Sequence, residues 1–420
     1  MRRSRQQNGP RGYDIFKHKT AGCVREGSRR EKPHAVAQHQ SDEVIMTRLT
    51  VAAVAMALLS DGAPAQQPAT LPPDGQAQLQ LVASFEHQVT GVTVSADGRI
   101  FVNFPRWTED APISVAELTR DGGVIPYPDE GWNAWRNVRK NQMSAGDHFV
   151  CVQSVVADAH GNLWVVDAAA PATAAIVPGG PKLVRIDLKS NKVTQVIRFG
   201  EAVAPQGSYL NDVRLSPDGR HAYLTDSGAK GALVVVDLQA GKARRILDGH
   251  PSTQPEMDVV VKTDGQALRR PDGRGVEFAA DSLALSPDGH TLYWKALTGR
   301  TLYRIATDAL DDPHLSEKNL EARVQRAGET EPTDGLWIDG RGRLYLSAVE
   351  QDAVKVRDGD RDTTLVQDKR LRWPDTFSEG PDGTIYITSS HIQDMSWFKP
   401  ENGPRLATQL WRIEGTGAHQ

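Results

Sequence analysis

The chain has 420 residues, of which 39% are hydrophobic and 24% charged, and its formal net charge is −4 at pH 7. This length is sufficient for a large hydrophobic core, and the slightly acidic balance argues against a nucleic-acid partner, which would require a basic surface. Because Cys23 and Cys151 are its two cysteines, the chain cannot be a small disulfide-stabilised fold.

The N-terminal segment is not expected to belong to the folded domain. Residues 1–45 are rich in Arg, Gln and Gly and lack an apolar period, which indicates a disordered segment or a misplaced translation start. Residues 46–65 have the parts of a signal peptide: a basic start, an apolar run and a cleavage motif at Ala63-Pro-Ala65. The run is too short to span a bilayer. The alternative, a buried helix, finds no helical partner downstream.

We therefore interpret Met46 as the translation start and Gln66 as the mature N-terminus, followed by a Pro- and Gln-containing linker over 66–76. Residues 1–65 carry 11 Lys or Arg and 6 Asp or Glu, a net charge of +5, so their removal leaves −9 on the mature chain. This predicts a secreted or periplasmic protein without stable membrane insertion after signal cleavage. Cys151 then has no partner for an intramolecular disulfide, and we expect it to be buried packing rather than a nucleophile.

A short strand-turn-strand pattern recurs six times. Each copy has β-branched or aromatic residues after a turn glycine, as in SPDGRHAYLTD from Ser216, and this is typical of a β-hairpin. Repeats with several strands each, at spacings of 41 to 70 residues, predict an all-β fold, a six-bladed β-propeller over residues 77–416. The turn glycines are Gly98, Gly161, Gly219, Gly289, Gly342 and Gly383.

A second pair of predicted strands completes each four-stranded blade, for example 182–187 followed by 193–199. The last repeat supplies three strands, the third over 408–413. We expect residues 79–85 to add the missing outer strand, because this closure joins the chain ends and removes a free edge. Long aromatic-rich insertions are expected to form the rim of one face. They lie at 104–135, 249–277 and 391–400.

The innermost strand of every repeat begins with a polar residue, eight positions before the turn glycine. The residues that follow with period two are mostly apolar, so the polar residue interrupts a row that faces the core. An equal offset in each repeat should place the six side chains at equivalent points around the central axis. They are Thr90, Gln153, Asn211, Asp281, Asp334 and Asp375.

Three of these six residues are carboxylates and none is Lys or Arg, so burying them together would be costly. A hard divalent cation would remove that cost. The oxygen ligands of Asn211, Asp281 and Asp334 favour calcium. The alternative is that the six residues cap strand starts and bind channel water, with raised carboxyl pKa values.

Motifs in the same order along the chain resemble the major royal jelly/yellow protein family, over roughly residues 80–400. This resemblance implies a secreted six-bladed propeller. It also implies either dopachrome conversion, which is associated with the insect yellow proteins, or binding of small ligands without catalysis. The motifs include GVTVS from Gly91, FPRW from Phe104, YLND from Tyr209, LALSPDGHTLY from Leu283 and WPDTF from Trp373.

A more distant resemblance is to gluconolactonases and senescence-marker lactonases, whose calcium-type site takes oxygen ligands from the starts of the inner strands. Asn211 matches their third-blade Asn and Asp334 their fifth-blade Asp, while Asp281 replaces a fourth-blade Asn. The first blade departs from this pattern, because Thr90 stands in place of Glu. Asp375 adds a carboxylate on the neighbouring blade.

The leading functional prediction is metal-assisted hydrolysis of a lactone-like or ester substrate at the mouth of the channel. Asp334 would activate water and His391 would assist. The alternatives are a dopachrome-type tautomerase, in which an Asp or His moves a proton on an aromatic substrate, and a non-catalytic small-ligand-binding protein. A lone His or a loop Arg is more often structural. The predicted substrate-binding residues are Arg106, Trp107, Gln153, Trp373 and Asp375.

Overall fold

The computed structural model describes residues 77–414, in which 26 strands form six four-stranded antiparallel sheets and one two-stranded hairpin. The predicted disordered segment or misplaced start (1–45), signal peptide (46–65) and linker (66–76) lie outside the described residues. Residues 415–416, at the end of the predicted propeller, do so as well. Within 77–414, no helix has the length and hydropathy that a membrane span requires.

The first three blades follow one another along the chain after the N-terminal strand β1, which spans Gln78–Phe85. Blade 1 contains β2–β5, at Val92–Val94, Ile100–Asn103, Val115–Leu118 and Val124–Pro126. Blade 2 contains β6–β9, at Val152–Ala157, Asn162–Asp167, Lys182–Asp187 and Lys192–Arg198. Blade 3 contains β10–β13, at Leu210–Leu215, His221–Asp226, Ala232–Asp237 and Lys242–Ile246.

A small hairpin separates the third blade from the last three, with β14 at Lys262–Thr263 and β15 at Gln266–Ala267. Blade 4 contains β16–β19, at Ala280–Leu285, Thr291–Ala296, Thr301–Ala306 and Gln325–Glu329. Blade 5 contains β20–β23, at Thr333–Ile338, Leu344–Ala348, Ala353–Asp358 and Arg361–Gln367. Blade 6 contains β24–β26, at Pro374–Glu379, Ile385–Ser389 and Thr408–Glu414, together with β1.

Helical structure in the described residues is confined to connections. Helices α1 (Thr307–Asp311) and α2 (Glu317–Glu321) link the third and fourth strands of blade 4. Short 3₁₀ turns lie at Asn137–Gln142, Ala145–Asp147, Pro171–Thr173, Pro251–Thr253, Ile392–Asp394 and Pro400–Asn402.

The predicted hairpin turns are present, and blade 3 shows why its sequence forms one. Gly219 has φ +68°, a conformation that glycine adopts without steric cost. The Ser216 hydroxyl donates to Asp218 Oδ1 at 2.6 Å and accepts from the His221 amide at 2.8 Å. The serine and aspartate of the SPDG motif therefore satisfy the turn locally, and the glycine supplies its backbone geometry.

The six blades close into a ring, as predicted. Each innermost strand packs against the next, in the cycle β2, β6, β10, β16, β20, β24 and back to β2. The chain ends meet in blade 6, where β1 pairs antiparallel with β26 from Gln78 opposite Glu414 to Phe85 opposite Thr408. The core lies between adjacent blades and is built from strand residues that alternate inward. Between blades 1 and 2, for example, Phe101, Val152 and Val155 are fully buried.

Candidate functional site

The polar residues at the strand starts of blades 2–6 lie at β-bulges. In each of these blades the register between the first and second strands shifts at the polar position. A bulge redirects a side chain locally, so it explains how a polar residue leaves the core-facing row of its strand. The bulged residues are Gln153, Asn211, Asp281, Asp334 and Asp375.

Hydroxyl groups of the second strands join these bulges to the neighbouring blade. Thr225 Oγ1 in blade 3 accepts from the Asp212 amide and donates to the backbone carbonyl of Asp281 in blade 4. Thr388 Oγ1 in blade 6 makes the same kind of contact with the Thr90 carbonyl, at 2.6 Å. These bonds satisfy backbone groups that the bulges leave unpaired, and they fix the positions of the polar side chains.

Blades 5 and 6 approach each other closely at the axis. A Cβ on Gly335 would lie 1.8 Å from the backbone oxygen of Asp375, so this contact requires glycine. The indole nitrogen of Trp373, which is fully buried, donates to Asp334 Oδ2. Asp334 is thus held from the adjacent blade, and the Asp375 backbone lies beside it.

A cavity of about 280 Å³ opens above four of the six polar residues. Gln153, Asn211, Asp281 and Asp334 contribute to its lining. Part of its wall comes from the three insertions that were expected to form a rim. Those insertions supply Trp107, Arg270, Glu277, Ile392 and Trp397. A polar floor beneath aromatic walls is typical of a small-molecule site.

Three buried carboxyl groups at the starts of the inner strands have no cationic partner within residues 77–414: Asp281, Asp334 and Asp375. Burial raises the pKa of Asp281 well above its usual range, and the neighbouring carboxylates Asp334 and Asp375 raise it further. Burial likewise raises the pKa of Asp375 well above normal. Burial raises the pKa of Asp334 to about 7, although the Trp373 hydrogen bond opposes this shift. The nearby carboxylate of Asp212 does have a cationic partner, because it forms an ion pair with Arg214 at 2.9 Å.

The predicted metal-ligating residues meet in the cavity. Asn211 Nδ2 contacts Asp281 Oδ1, and Asp334 lies on the following blade in the same lining. A half-turn of the Asn211 amide would exchange its nitrogen for its oxygen, so all three residues can offer oxygen atoms. These three side chains offer oxygen ligands and have no Lys or Arg partner in residues 77–414, and such a set of ligands suits a hard divalent cation. In residues 77–414, no cluster of three or more His, Cys, Asp or Glu side chains is arranged to hold a metal ion.

Two of the six polar residues do not line the cavity. The Thr90 hydroxyl donates to the Gln153 backbone oxygen at 3.3 Å and accepts from Asn103 Nδ2 at 2.8 Å. Its bonds therefore link blades 1 and 2. Asp375 accepts from Thr376 Oγ1 at 3.0 Å and is not among the residues that line the cavity.

Arg106 is not where the predicted substrate-binding role requires it. Its guanidinium is fully buried and donates to the backbone oxygens of Ala111, Phe149 and Val150 at 2.7 to 3.0 Å. Burial lowers the pKa of Arg106 to about 10. Because its donors are used by backbone groups, Arg106 secures the first insertion against blade 2 and does not reach the cavity.

His391 and Trp373 also stand behind the cavity wall. His391 Nε2 lies 2.8 Å from Gln409 Oε1, and its pKa is lowered by burial. Its neighbour Ile392, not His391 itself, lines the cavity. Trp373 reaches the site through Asp334, so it positions a cavity residue and makes no substrate contact itself.

Cys151 is fully buried, and its pKa is raised by burial to about 12. The expectation of packing rather than nucleophilic chemistry agrees with this position. Its sulfur lies 3.8 Å from the Tyr209 hydroxyl. Tyr209, Phe278 and Trp397 are cavity residues that the sequence interpretation did not name. The sequence does offer one signal for Tyr209, which is its position two residues before Asn211, immediately ahead of β10.

Several solved structures are similar to this chain at low sequence identity. A gluconolactonase from Xanthomonas campestris is 14% identical, over 83% of this chain and 94% of its own, with a TM-score of 0.49. Regucalcin, a calcium-binding protein from Agrobacterium tumefaciens, is 14% identical over 80% and 95%, with a TM-score of 0.44. At these identities and TM-scores neither likeness carries an argument about activity.

No curated protein sequence matches the chain significantly. The family comparison, in contrast, agrees with the motifs distributed along the sequence. The family described as "Major royal jelly protein" matches residues 150–395, which is more than half of the chain. This stretch runs from the start of blade 2 into the last insertion and includes Asn211, Asp281 and Asp334. The chain therefore belongs to the major royal jelly protein family.

Proposed function

We propose that the chain hydrolyses a small lactone or ester in the cavity at the mouth of its channel. One observation carries this proposal: three acceptor oxygens, Asn211 Oδ1, Asp281 Oδ2 and Asp334 Oδ1, have no hydrogen-bond donor in the described part of the chain, although their residues line the cavity. Acceptors left free at a buried floor require water, a cation or a polar ligand.

The walls favour a flat and neutral substrate. Trp107 packs against Trp397 with ring centroids 6.0 Å apart, and against Tyr209 at 6.4 Å. Such aromatic surfaces bind planar rings well. The floor offers acceptor oxygens and no cation to pair with an anion, because the one Lys or Arg among the lining residues, Arg270, comes from a rim insertion. A lactone or ester satisfies both conditions.

In the proposed reaction Asp334 acts as the general base. Its carboxylate takes a proton from water while the water oxygen bonds to the substrate carbonyl carbon. The ring C–O bond then breaks, and the leaving oxygen takes that proton back from Asp334, so protons balance over the cycle. The Trp373 indole holds Asp334 in place by occupying Oδ2, which leaves Oδ1 to face the cavity.

A divalent cation fits this scheme. Asn211 and Asp281 would hold it, with calcium favoured by their oxygen atoms, and it would polarise the substrate carbonyl. Asp334, which the sequence predicts as a third ligand, would remain beside the cation as the base. It would also remove the cost of burying carboxyl groups without a counter-charge.

We also propose that the protein is exported. This rests on the signal-peptide pattern of residues 46–65, whose cleavage after Ala65 would leave Gln66 at the N-terminus. N-terminal sequencing of the protein recovered from the producing cells tests it. A mature chain beginning at Gln66 would support export, and a chain retaining Met46 would contradict it.

Three assays on the purified protein separate the candidate functions. Hydrolysis of dihydrocoumarin, an aromatic lactone, followed by acid release, should be detectable and should fall when a chelator removes divalent ions. A tautomerase should instead convert dopachrome without added metal, a reaction that the aromatic walls would also accommodate. Binding of dihydrocoumarin with neither reaction would leave the protein a ligand-binding module and overturn the proposed hydrolysis.

A further inference from the structure

A chain of hydrogen bonds runs along one side of the cavity through Trp107, Tyr209 and Gln153. The Trp107 indole nitrogen donates to the Tyr209 hydroxyl, which donates to Gln153 Oε1 at 3.0 Å. All three residues are at least nine-tenths buried, and all three line the cavity. The proposed hydrolysis does not use this chain of bonds.

The Trp107 indole fixes the direction of the first bond, because an indole N–H can only donate and the Tyr209 oxygen must accept from it. The Tyr209 hydroxyl in turn donates to Gln153 Oε1. The Cys151 sulfur lies 3.8 Å from the same hydroxyl, in a contact in which either atom can be the donor. Sulfur is a weak acceptor, so the bond to Gln153 is the stronger use of the single Tyr209 proton.

The orientation of Gln153 follows. With its oxygen turned to Tyr209, the amide presents its NH₂ group, and Nε2 has no acceptor among residues 77–414. The Gln153 backbone is held as well, because its carbonyl accepts from Thr90 Oγ1 and from Asn103 Nδ2. A fixed, unsatisfied donor therefore faces a cavity whose floor otherwise carries acceptors.

We propose that Gln153 is a specificity-determining residue that donates a hydrogen bond to a carbonyl or hydroxyl oxygen of the ligand, with Tyr209 as its positioning residue. The site then selects neutral ligands that carry an oxygen acceptor on the blade 2 side of an aromatic ring. A ligand of the same shape without that oxygen would leave the Gln153 donor unpaired. This inference rests on the proposed function only in taking the cavity as the ligand site.

The test compares two probes by ligand-observed NMR titration. Dihydrocarbostyril is a lactam analogue of dihydrocoumarin that resists hydrolysis, and chroman has the same ring system without the carbonyl. We expect wild-type protein to bind the lactam about 10-fold more tightly than chroman. Gln153→Met and Tyr209→Phe should each remove this preference and leave chroman affinity unchanged. Tyr303→Phe is the matched control, because no hydrogen bond of the Tyr303 hydroxyl occurs in residues 77–414.

A general loosening of the cavity would weaken both probes equally, so the ratio of the two affinities separates a lost donor from a structural defect. Equal weakening, an unchanged ratio in Gln153→Met, or no preference in wild-type protein would overturn the inference. Selective lactam binding without dihydrocoumarin hydrolysis would overturn the proposed function and support the role of Gln153. Dihydrocoumarin hydrolysis that is unaffected by Gln153→Met would support the proposed function and overturn the role of Gln153.

Discussion

Trp373 donates its indole hydrogen to Asp334 across the boundary between blades 6 and 5. The two residues are 39 positions apart in sequence, and the contact depends on the close approach of the blades at Gly335. It leaves Oδ1 of Asp334, a residue of the cavity lining, without a hydrogen-bond donor in residues 77–414. The orientation of the proposed catalytic base is therefore set by a side chain that does not line the site.

Replacing Trp373 with Phe should lower lactone hydrolysis. The ring remains, but Asp334 loses the donor that fixes it, and we expect kcat/KM to fall about 10-fold, in line with the loss of one hydrogen bond to a charged group. Steady-state kinetics on dihydrocoumarin measure this. Trp164→Phe is the control, because Trp164 also donates to an aspartate, Asp158 at 2.8 Å, outside the cavity. Equal losses in both variants would contradict the role of Trp373.

Calcium should stabilise the wild-type protein against thermal unfolding. A ligand present at about 100 times its dissociation constant contributes about 2.7 kcal/mol when it binds the folded state alone. Asp281→Ala removes the oxygen atoms of a proposed ligand and should abolish the calcium-dependent rise in melting temperature. Asp360→Ala, an exposed change on blade 5, should retain it. The cation proposal fails if calcium raises the melting temperature of the wild type and of Asp281→Ala by the same amount, or of neither.

Closure of the ring by the N-terminal strand should contribute strongly to stability. Phe85 is buried and packs edge-on against Phe104, with ring centroids 5.4 Å apart. Phe85→Ala should lower the free energy of unfolding by about 3–5 kcal/mol. Leu81 lies in the same strand but is 51% exposed, so Leu81→Ala should cost only about 0.5 kcal/mol. Urea denaturation compares them, and similar costs would show that β1 is not held by its buried face.

Lys295 should make stability depend on pH. It is fully buried and donates to Thr330 Oγ1 at 2.7 Å. Burial lowers the pKa of Lys295 to about 7, although Glu256 and Glu331 oppose this shift. Between this value and the unfolded pKa of about 10.4, the unfolded chain binds the extra proton. The free energy of unfolding should therefore rise with pH across that window, by at most about 1.4 kcal/mol per pH unit.

The Lys295→Met variant should lack this contribution, so the difference in unfolding free energy between wild type and variant should increase from pH 7 to pH 9. Urea denaturation at several pH values provides the measurement. Lys242→Met removes an exposed lysine from blade 3 and should leave the slope unchanged. A wild-type slope that survives in Lys295→Met would show that other groups produce it.

The architecture could be predicted because it is repeated. Turn glycines, hairpin serines and aspartates, and a polar residue at a constant offset are local patterns, and each copy supports the others. The convergence of Asn211, Asp281 and Asp334 followed from that offset. The β-bulges at these residues were not predicted, since a bulge shows itself in the register between two strands and not in the composition of one.

The rest of the site depends on contacts between distant segments. Arg106 was expected to bind substrate, but its donors meet the backbone at Phe149 and Val150, 43 and 44 residues away. His391 immediately precedes the cavity residue Ile392. The insertion that contains them has no regular hydrophobic period, so its sequence does not show which of the two side chains lines the cavity. Tyr209 was missed as the link between Trp107 and Gln153, because the three belong to three different blades or insertions.

The rate of dihydrocoumarin hydrolysis by Asp334→Asn tests the central claim most directly. Loss of a general base typically costs 10²–10⁴-fold in rate, so kcat should fall at least about 100-fold, while Asp360→Asn on the same blade keeps the wild-type rate. Asn is nearly the same size as Asp and can still accept from Trp373, so the fold should be maintained. A wild-type kcat in Asp334→Asn would contradict the account.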